Sequence, residues 1–163
     1  MRLSENLALT LVRGTLPPGL GLLREEARAE GFRHLDRLAQ EWGAGAVRFD
    51  CPGESLIAAH HDGELVGVGG VTAEPCAGRY RMRRFYVRPA FRHRGIGSAL
   101  AREAIGRASP LARELTVRAG SSDARAFWER LGFAAVDGAG HTHVLALAPP
   151  GAGAGFQGTR CQT

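Results

Sequence analysis

Lysine is absent: all 21 basic residues of the chain are arginine. That skew, with abundant Ala and Gly, is a genome-composition signature. The formal net charge of +5 therefore says less about partners than the positions of the arginines do. Cysteine is scarce. Cys51, Cys76 and Cys161 are odd in number, far apart and in no CxxC spacing, so neither a structural zinc site nor a disulfide framework is indicated. Cys51 and Cys76 are expected to be small buried hydrophobes, and Cys161 an inert tail thiol. Aromatics make up only 7% of the chain, and no aromatic-stacking motif accompanies its arginine-rich segment. No apolar run approaches the roughly 18 residues of a membrane span. The start, Met1-Arg2-Leu3-Ser4-Glu5-Asn6, carries an acid and lacks a signal-peptide core, so a cytoplasmic location is expected. There are no internal repeats.

What remains is ordinary globular composition: 163 residues, 44% hydrophobic and 23% charged. That suits one domain over residues 1–148, followed by a Gly/Ala/Pro-rich stretch, 149–163, expected to be a mobile tail. Residues 5–13 alternate as a first strand. Residues 20–40 have helical spacing, divided at Gly31. Two strands, 55–60 and 64–71, flank the turn His61-Asp62-Gly63, and a third follows at 80–88. A helix over 97–108 leads to a strand at 114–118. This crossover makes strands 80–88 and 114–118 parallel neighbours. A helix from Asp123 to Leu131, capped by Ser121 or Ser122, precedes a final hairpin over 133–136 and 142–147.

Chemistry concentrates at residues 79–94. Seven arginines (79, 81, 83, 84, 88, 92 and 94) fall there with no acid among them, so the segment is expected to attract anions. The strand stops at Pro89. The turn Arg92-His93-Arg94-Gly95-Ile96-Gly97-Ser98 then opens a helix. Gly95 and Gly97 let backbone approach a ligand closely, and the first helical turn offers unpaired N–H groups with partial positive charge. Arg92 and Arg94 can add charge-assisted contacts. The turn reads either as a pyrophosphate cradle or as an ordinary tight strand-to-helix connection; as a cradle it would imply a phosphate carrier and group transfer. About 26 residues on stands Ala124-Arg125-Ala126-Phe127-Trp128-Glu129-Arg130-Leu131-Gly132-Phe133.

The two blocks, R-x-x-G-x-G after Tyr-Val-x-Pro and then A-x-x-F-W-x-x-x-G-F, resemble the GNAT superfamily of acetyl-CoA-dependent N-acetyltransferases. The resemblance covers roughly residues 54–148. It implies an α/β fold: a twisted, mixed, mostly antiparallel sheet flanked by helices, with a splayed parallel strand pair. It implies acetyl-CoA as co-substrate, no metal, and an amine acceptor that is a small molecule or peptide. Homodimers are frequent among look-alikes. Cofactor contacts would come from the backbone of Phe85, Tyr86 and Val87 on the pantetheine arm. Arg92, His93, Arg94, Gly95, Ile96, Gly97 and Ser98 would hold the pyrophosphate, with Ser121 and Trp128 lining the thiol end. Phe85 and Val87 can also pack the core while their backbone binds.

The chain departs from the family pattern in two places. Many members carry an Asn and a thiolate-protonating Tyr where this chain has Ser121 and Trp128. An indole N–H does not titrate usefully, so Trp128 is no acid and is also readable as a core aromatic. Some members carry a basic Glu where Arg81 stands. Arg81 is no base, but it could clamp a carboxylate on the acceptor or lie on a solvated strand face. The remaining candidate bases are His141, His143, Glu54 and Glu74; imidazole titrates nearest neutrality. Both histidines are also readable as surface residues. The leading expectation is acetyl transfer from acetyl-CoA to a primary amine by direct attack in a ternary complex. The alternative is a non-catalytic acyl-CoA-binding sensor or interaction module on the same fold. Nucleic-acid binding is disfavoured, since the arginines alternate on a strand with no recognition helix or aromatic interleaving.

Overall fold

The computed structural model describes residues 6–138 and 140–148. The expected tail, 149–163, and Cys161 within it lie outside the described residues. The elements run β1 (Leu7–Leu11), α1 (Leu20–Ala29), α2 (His34–Gly43), β2 (Ser55–His61), β3 (Glu64–Ala73), β4 (Arg79–Val87), a short 3-10 helix (Pro89–Phe91), α3 (Ile96–Ala108), β5 (Glu114–Val117), α4 (Ser122–Arg130), β6 (Ala134–Ala135) and β7 (His143–Ala146). One sheet orders its strands β1-β2-β3-β4-β5-β7-β6. The pair β4–β5 is parallel, and the other paired strands are antiparallel. The α3 crossover between β4 and β5 makes that pair parallel, as its length and order dictate.

Helices cover both faces. Leu20, Leu23 and Ala27 of α1 and Leu35, Leu38 and Trp42 of α2 pack on Leu56, Ala58, Leu65 and Val68. On the other face Ala101, Ala104 and Ala108 of α3 and Trp128 of α4 pack on Val71, Met82, Leu115 and Val117. Ile57, Ala59 and Val66 meet Ile96 and Leu100 there too. A sheet buried on both sides explains why β3 is buried from Leu65 to Thr72 rather than alternating. It also explains why β3 is rich in glycine. An added Cβ at Gly69 would overlap the Phe85 ring, and one at Gly70 would overlap Phe49.

Two expectations about cysteine are corrected. Cys51 is disulfide-bonded and only partly buried, while Cys76 is a free, exposed thiol. Neither is a buried small hydrophobe. Both lie in loops, where periodicity carries no burial signal. No described helix is long and apolar enough to cross a membrane.

Candidate active site

The site begins with a defect in β4. Val68 of β3 pairs with Tyr86, and Gly70 pairs with Arg83, so Arg84 and Phe85 together oppose the single residue Gly69. This is a β-bulge, and Arg84 takes a left-handed φ of 62° to make it. On the other edge, β4 pairs with β5 only from Arg79↔Glu114 to Arg81↔Thr116. Beyond Arg81 the strands part, and residues 82–87 have no partner in β5. His34, the first residue of α2, sits over the opening with Nε2 2.9 Å from the Phe85 carbonyl oxygen. Burial, and then the charge of Arg84, lower the His34 pKa, so its ring is neutral at neutral pH.

The glycine turn stands beside the bulge. His93 (φ 63°) and Gly95 (φ 81°) are both left-handed, and Gly95 precedes α3 without a side-chain cap. The first intrahelical bond recorded at this end is Ala99 N–H to the Gly95 carbonyl, 3.0 Å. The N–H groups of Ile96, Gly97 and Ser98 therefore point out of the helix start, toward any anion placed there. A Cβ at Gly97 would lie 3.3 Å from the Phe127 ring of α4, so Gly97 allows α3 and α4 to approach at the mouth of the splay.

The arginine segment is largely neutralised from within. Arg79 pairs with Glu114 and Glu74, Arg81 with Glu74 at 2.7 Å, and Arg84 with Glu41. Arg88 pairs with Glu26, and Arg92 with Glu30. The Arg92 pair is two-pronged, at 2.6 and 2.7 Å, while its Nε–H donates to the Val87 carbonyl. Tyr86 Oη donates to the same Glu30 at 2.6 Å. The Arg92 contact holds the Glu30 carboxyl below its usual range, whereas burial and then Glu30 push the Tyr86 phenol up. Only Arg83 and Arg94 of the seven lack a carboxylate among the described residues. The expectation that the whole segment attracts anions is thus corrected: acids distant in sequence fold onto it.

The sequence pattern of the Acetyltransferase (GNAT) family matches residues 20–133, more than half of the chain. The chain belongs to the GNAT acetyltransferase family. A protein from Exiguobacterium sp. 255-15, assigned to the acetyltransferases, shares 25% identity at TM-score 0.78, covering 86% of this chain and 93% of its own. An acetyltransferase from Thermus thermophilus is 23% identical at TM-score 0.65, covering 90% of this chain and all of its own. A GNAT family acetyltransferase from Brucella melitensis, solved in complex with acetyl-CoA, is 19% identical at TM-score 0.62, covering 90% and 91%. No curated sequence matches the chain.

Within this GNAT fold the sequence-predicted residues separate. Phe85, Tyr86, Val87 and the 92–98 turn gather around the mouth of the splay. Trp128 is buried in an aromatic cluster, its ring edge-on to Phe85 at 4.9 Å, Phe127 at 4.9 Å and Phe133 at 5.1 Å. Ser121 is the N-cap of α4, accepting from Ala124 N–H at 3.1 Å. His143 is fully buried. One ring nitrogen lies 2.8 Å from Thr142 Oγ1 and the other 3.0 Å from Glu129 Oε1, so both are engaged inside the protein. Glu54 accepts backbone N–H groups from Ala73 and Cys51, tying down the loop before β2. It borders a groove of about 650 Å³ lined by Trp42, Phe49 and Arg107, and no residue of the 92–98 turn lines that groove. Asp50, Cys51 and Glu54 place ligand atoms within 4.8 Å of one another, but the Cys51 sulfur is held in its disulfide. Arg81 donates to the Gly140 carbonyl at 2.9 Å besides meeting Glu74, which leaves its guanidinium little to offer a ligand. His141 follows Gly140 on that loop.

Sequence reasoning missed His34 and Glu30, and it did not separate Arg83 from the other arginines of the segment. His34 and Glu30 act across separations of 51 and 62 residues, and no local pattern marks them. Arg83 carried a signal: Tyr80 and Met82 are apolar, so Arg79, Arg81 and Arg83 share the opposite face.

Proposed function

We propose that this protein transfers an acetyl group from acetyl-CoA to a primary amine by direct attack in a ternary complex. The observation that carries the reading is the bulged, splayed β4 edge lying beside an uncapped α3 start. The N–H groups of Ile96, Gly97 and Ser98, with His93, Arg94 and the close approach allowed at Gly95, hold the pyrophosphate. Arg92 serves the cradle indirectly, by fastening the turn to Glu30, which follows the last residue of α1. The pantetheine arm lies along the unpaired edge of Phe85, Tyr86 and Val87, and a bulge N–H polarises the thioester carbonyl. One such donor is worth roughly 3 kcal/mol in the transition state. Phe85 and Trp128 wall the thiol end.

In the transfer the amine lone pair forms the C–N bond, the thioester C–S bond breaks, and CoA leaves as thiolate. The ammonium proton must go first. His141 stands next to the carbonyl that anchors Arg81, and we assign it that proton. As the C–S bond breaks, the attacking nitrogen releases its second proton to solvent and the thiolate takes one proton from solvent, so no side-chain acid is required, which suits a chain with Trp128 where a tyrosine acid would stand.

The test is detection of free CoA thiol from acetyl-CoA with a panel of amines. Turnover is expected with at least one amine. His141→Ala should lower kcat by about 10²-fold, the usual scale for a general base. Binding of acetyl-CoA with no thiol release from any amine would make this a non-catalytic acyl-CoA-binding module instead.

A further inference from the structure

Of the two arginines of the segment without a carboxylate in contact among the described residues, Arg83 is the one on β4. It lies on β4 opposite Gly70, and its neighbours in sequence fix its direction: Met82 packs toward α3, so Arg81 and Arg83 face the α1–α2 side. Arg81↔Thr116 is the last β4–β5 pair. Arg83 is therefore the first side chain on that face past the point where the strands part. The body of α3 packs on the opposite face. An acceptor entering from the α1–α2 side meets Arg83 just before it meets the splay.

Its guanidinium is only partly exposed, and its Nε is shielded from solvent with no hydrogen-bond partner. No ion pair or hydrogen bond reaches it among the described residues. The nearby acids are engaged elsewhere, Glu74 by Arg79, Arg81 and Thr116, and Glu41 by Arg84. Burial, then Arg81 and Arg84, lower the pKa of Arg83, and Glu41 and Glu74 offset this only in part and from a distance. A shielded guanidinium with no carboxylate in contact destabilises the fold. No carboxylate among the described residues makes that contact.

We propose that Arg83 binds a carboxylate of the acceptor, making the preferred acceptor an amine that also carries a carboxylate, of the amino-acid class. This rests on the acetyl-transfer reading above and sharpens it. It also moves the role first considered for Arg81, whose guanidinium is already held by Glu74 and Gly140, one position along the same face. A guanidinium suits the task because its planar donors match a carboxylate two to two.

The experiment pairs amino acids with their decarboxylated amines in the thiol-release assay, on wild-type protein and on Arg83→Met and Arg83→Lys. Wild type should favour the amino-acid partner by tenfold or more in kcat/KM. Arg83→Met should erase that preference through the acceptor KM, with the KM for acetyl-CoA held, and Arg83→Lys should restore part of it. Because Arg83→Met removes an unmatched charge, its Tm should hold or rise, by about 2–4 °C. Equal use of both partners by wild type, or a preference that survives Arg83→Met, overturns the proposal. If no amine is acetylated, the transfer reading fails separately. Calorimetric titration of the same amino acids onto the CoA-bound protein then decides: binding lost in Arg83→Met upholds the carboxylate site, and binding absent in wild type or unchanged in the variant overturns it.

Discussion

Asp36, in the first turn of α2, meets Arg24, Arg28 and Arg33 at 3.0, 2.6 and 3.7 Å. The Arg28 hydrogen bond foremost, with Arg24 behind it, draws its carboxyl from 3.8 down to about 2. A carboxyl depressed in the folded state stabilises the fold above its unfolded pKa. That stabilisation is lost as pH falls through the folded value. Glu30, held down by Arg92, adds to the same trend. Stability should therefore fall between about pH 4 and pH 2. In Asp36→Asn the acid slope of Tm against pH should flatten in that window, which thermal melts across pH 2–7 would measure. An unchanged slope would mean that the α1–α2 ion pairs add nothing. His34 adds to the same trend at higher pH: burial lowers its folded pKa, so stability falls as pH drops through the ordinary histidine range toward that lowered value.

At the scale of elements, the bulge depends on β3 as much as on β4. Phe85 turns into the space that Gly69 leaves, and an alanine there would overlap the ring. Gly69→Ala is expected to cost about 1–3 kcal/mol, the range for overpacking a core, visible as a lower urea midpoint. Because Phe85 is part of the bulge, the same variant should lose acetyl-CoA affinity more than its lost stability explains. Retained affinity would mean that the bulge tolerates repacking. The turn before α3 makes a parallel case. Gly95 has φ 81°, which an L side chain adopts only under strain. Gly95→Val should weaken acetyl-CoA binding at least tenfold in a calorimetric titration while α3 itself persists by circular dichroism. Full affinity in that variant would remove the turn from the donor site.

For the molecule as a whole, local pattern and long-range charge parted company. The order of strands and helices was legible because apolar periodicity and turn residues are local signals, as at His61-Asp62-Gly63 and the break near Gly31. The parallel β4–β5 pair followed from the crossover. The turn before α3 was legible as a helix opening because its left-handed backbone needs a residue type, Gly95, rather than distant neighbours. What could not be read was pairing across the fold. Seven arginines without an acid between them suggest a free cationic strip, yet Glu26, Glu30, Glu41, Glu74 and Glu114 come from α1 and the residue that follows it, α2, the β3–β4 loop and β5 to meet five of them. His143 looked like a base near the acceptor for the same reason; only the fold shows Thr142 and Glu129 on its two nitrogens. A cation left over after such pairing, Arg83, therefore says more about ligands than the original count did. The central claim remains the donor site at the splay, and thermal unfolding with acetyl-CoA tests it most directly. At about 100 times the dissociation constant, a ligand bound only by the folded state adds ~2.7 kcal/mol, which raises Tm by several degrees in a saturable way. An unfolding midpoint unmoved by millimolar acetyl-CoA would contradict it.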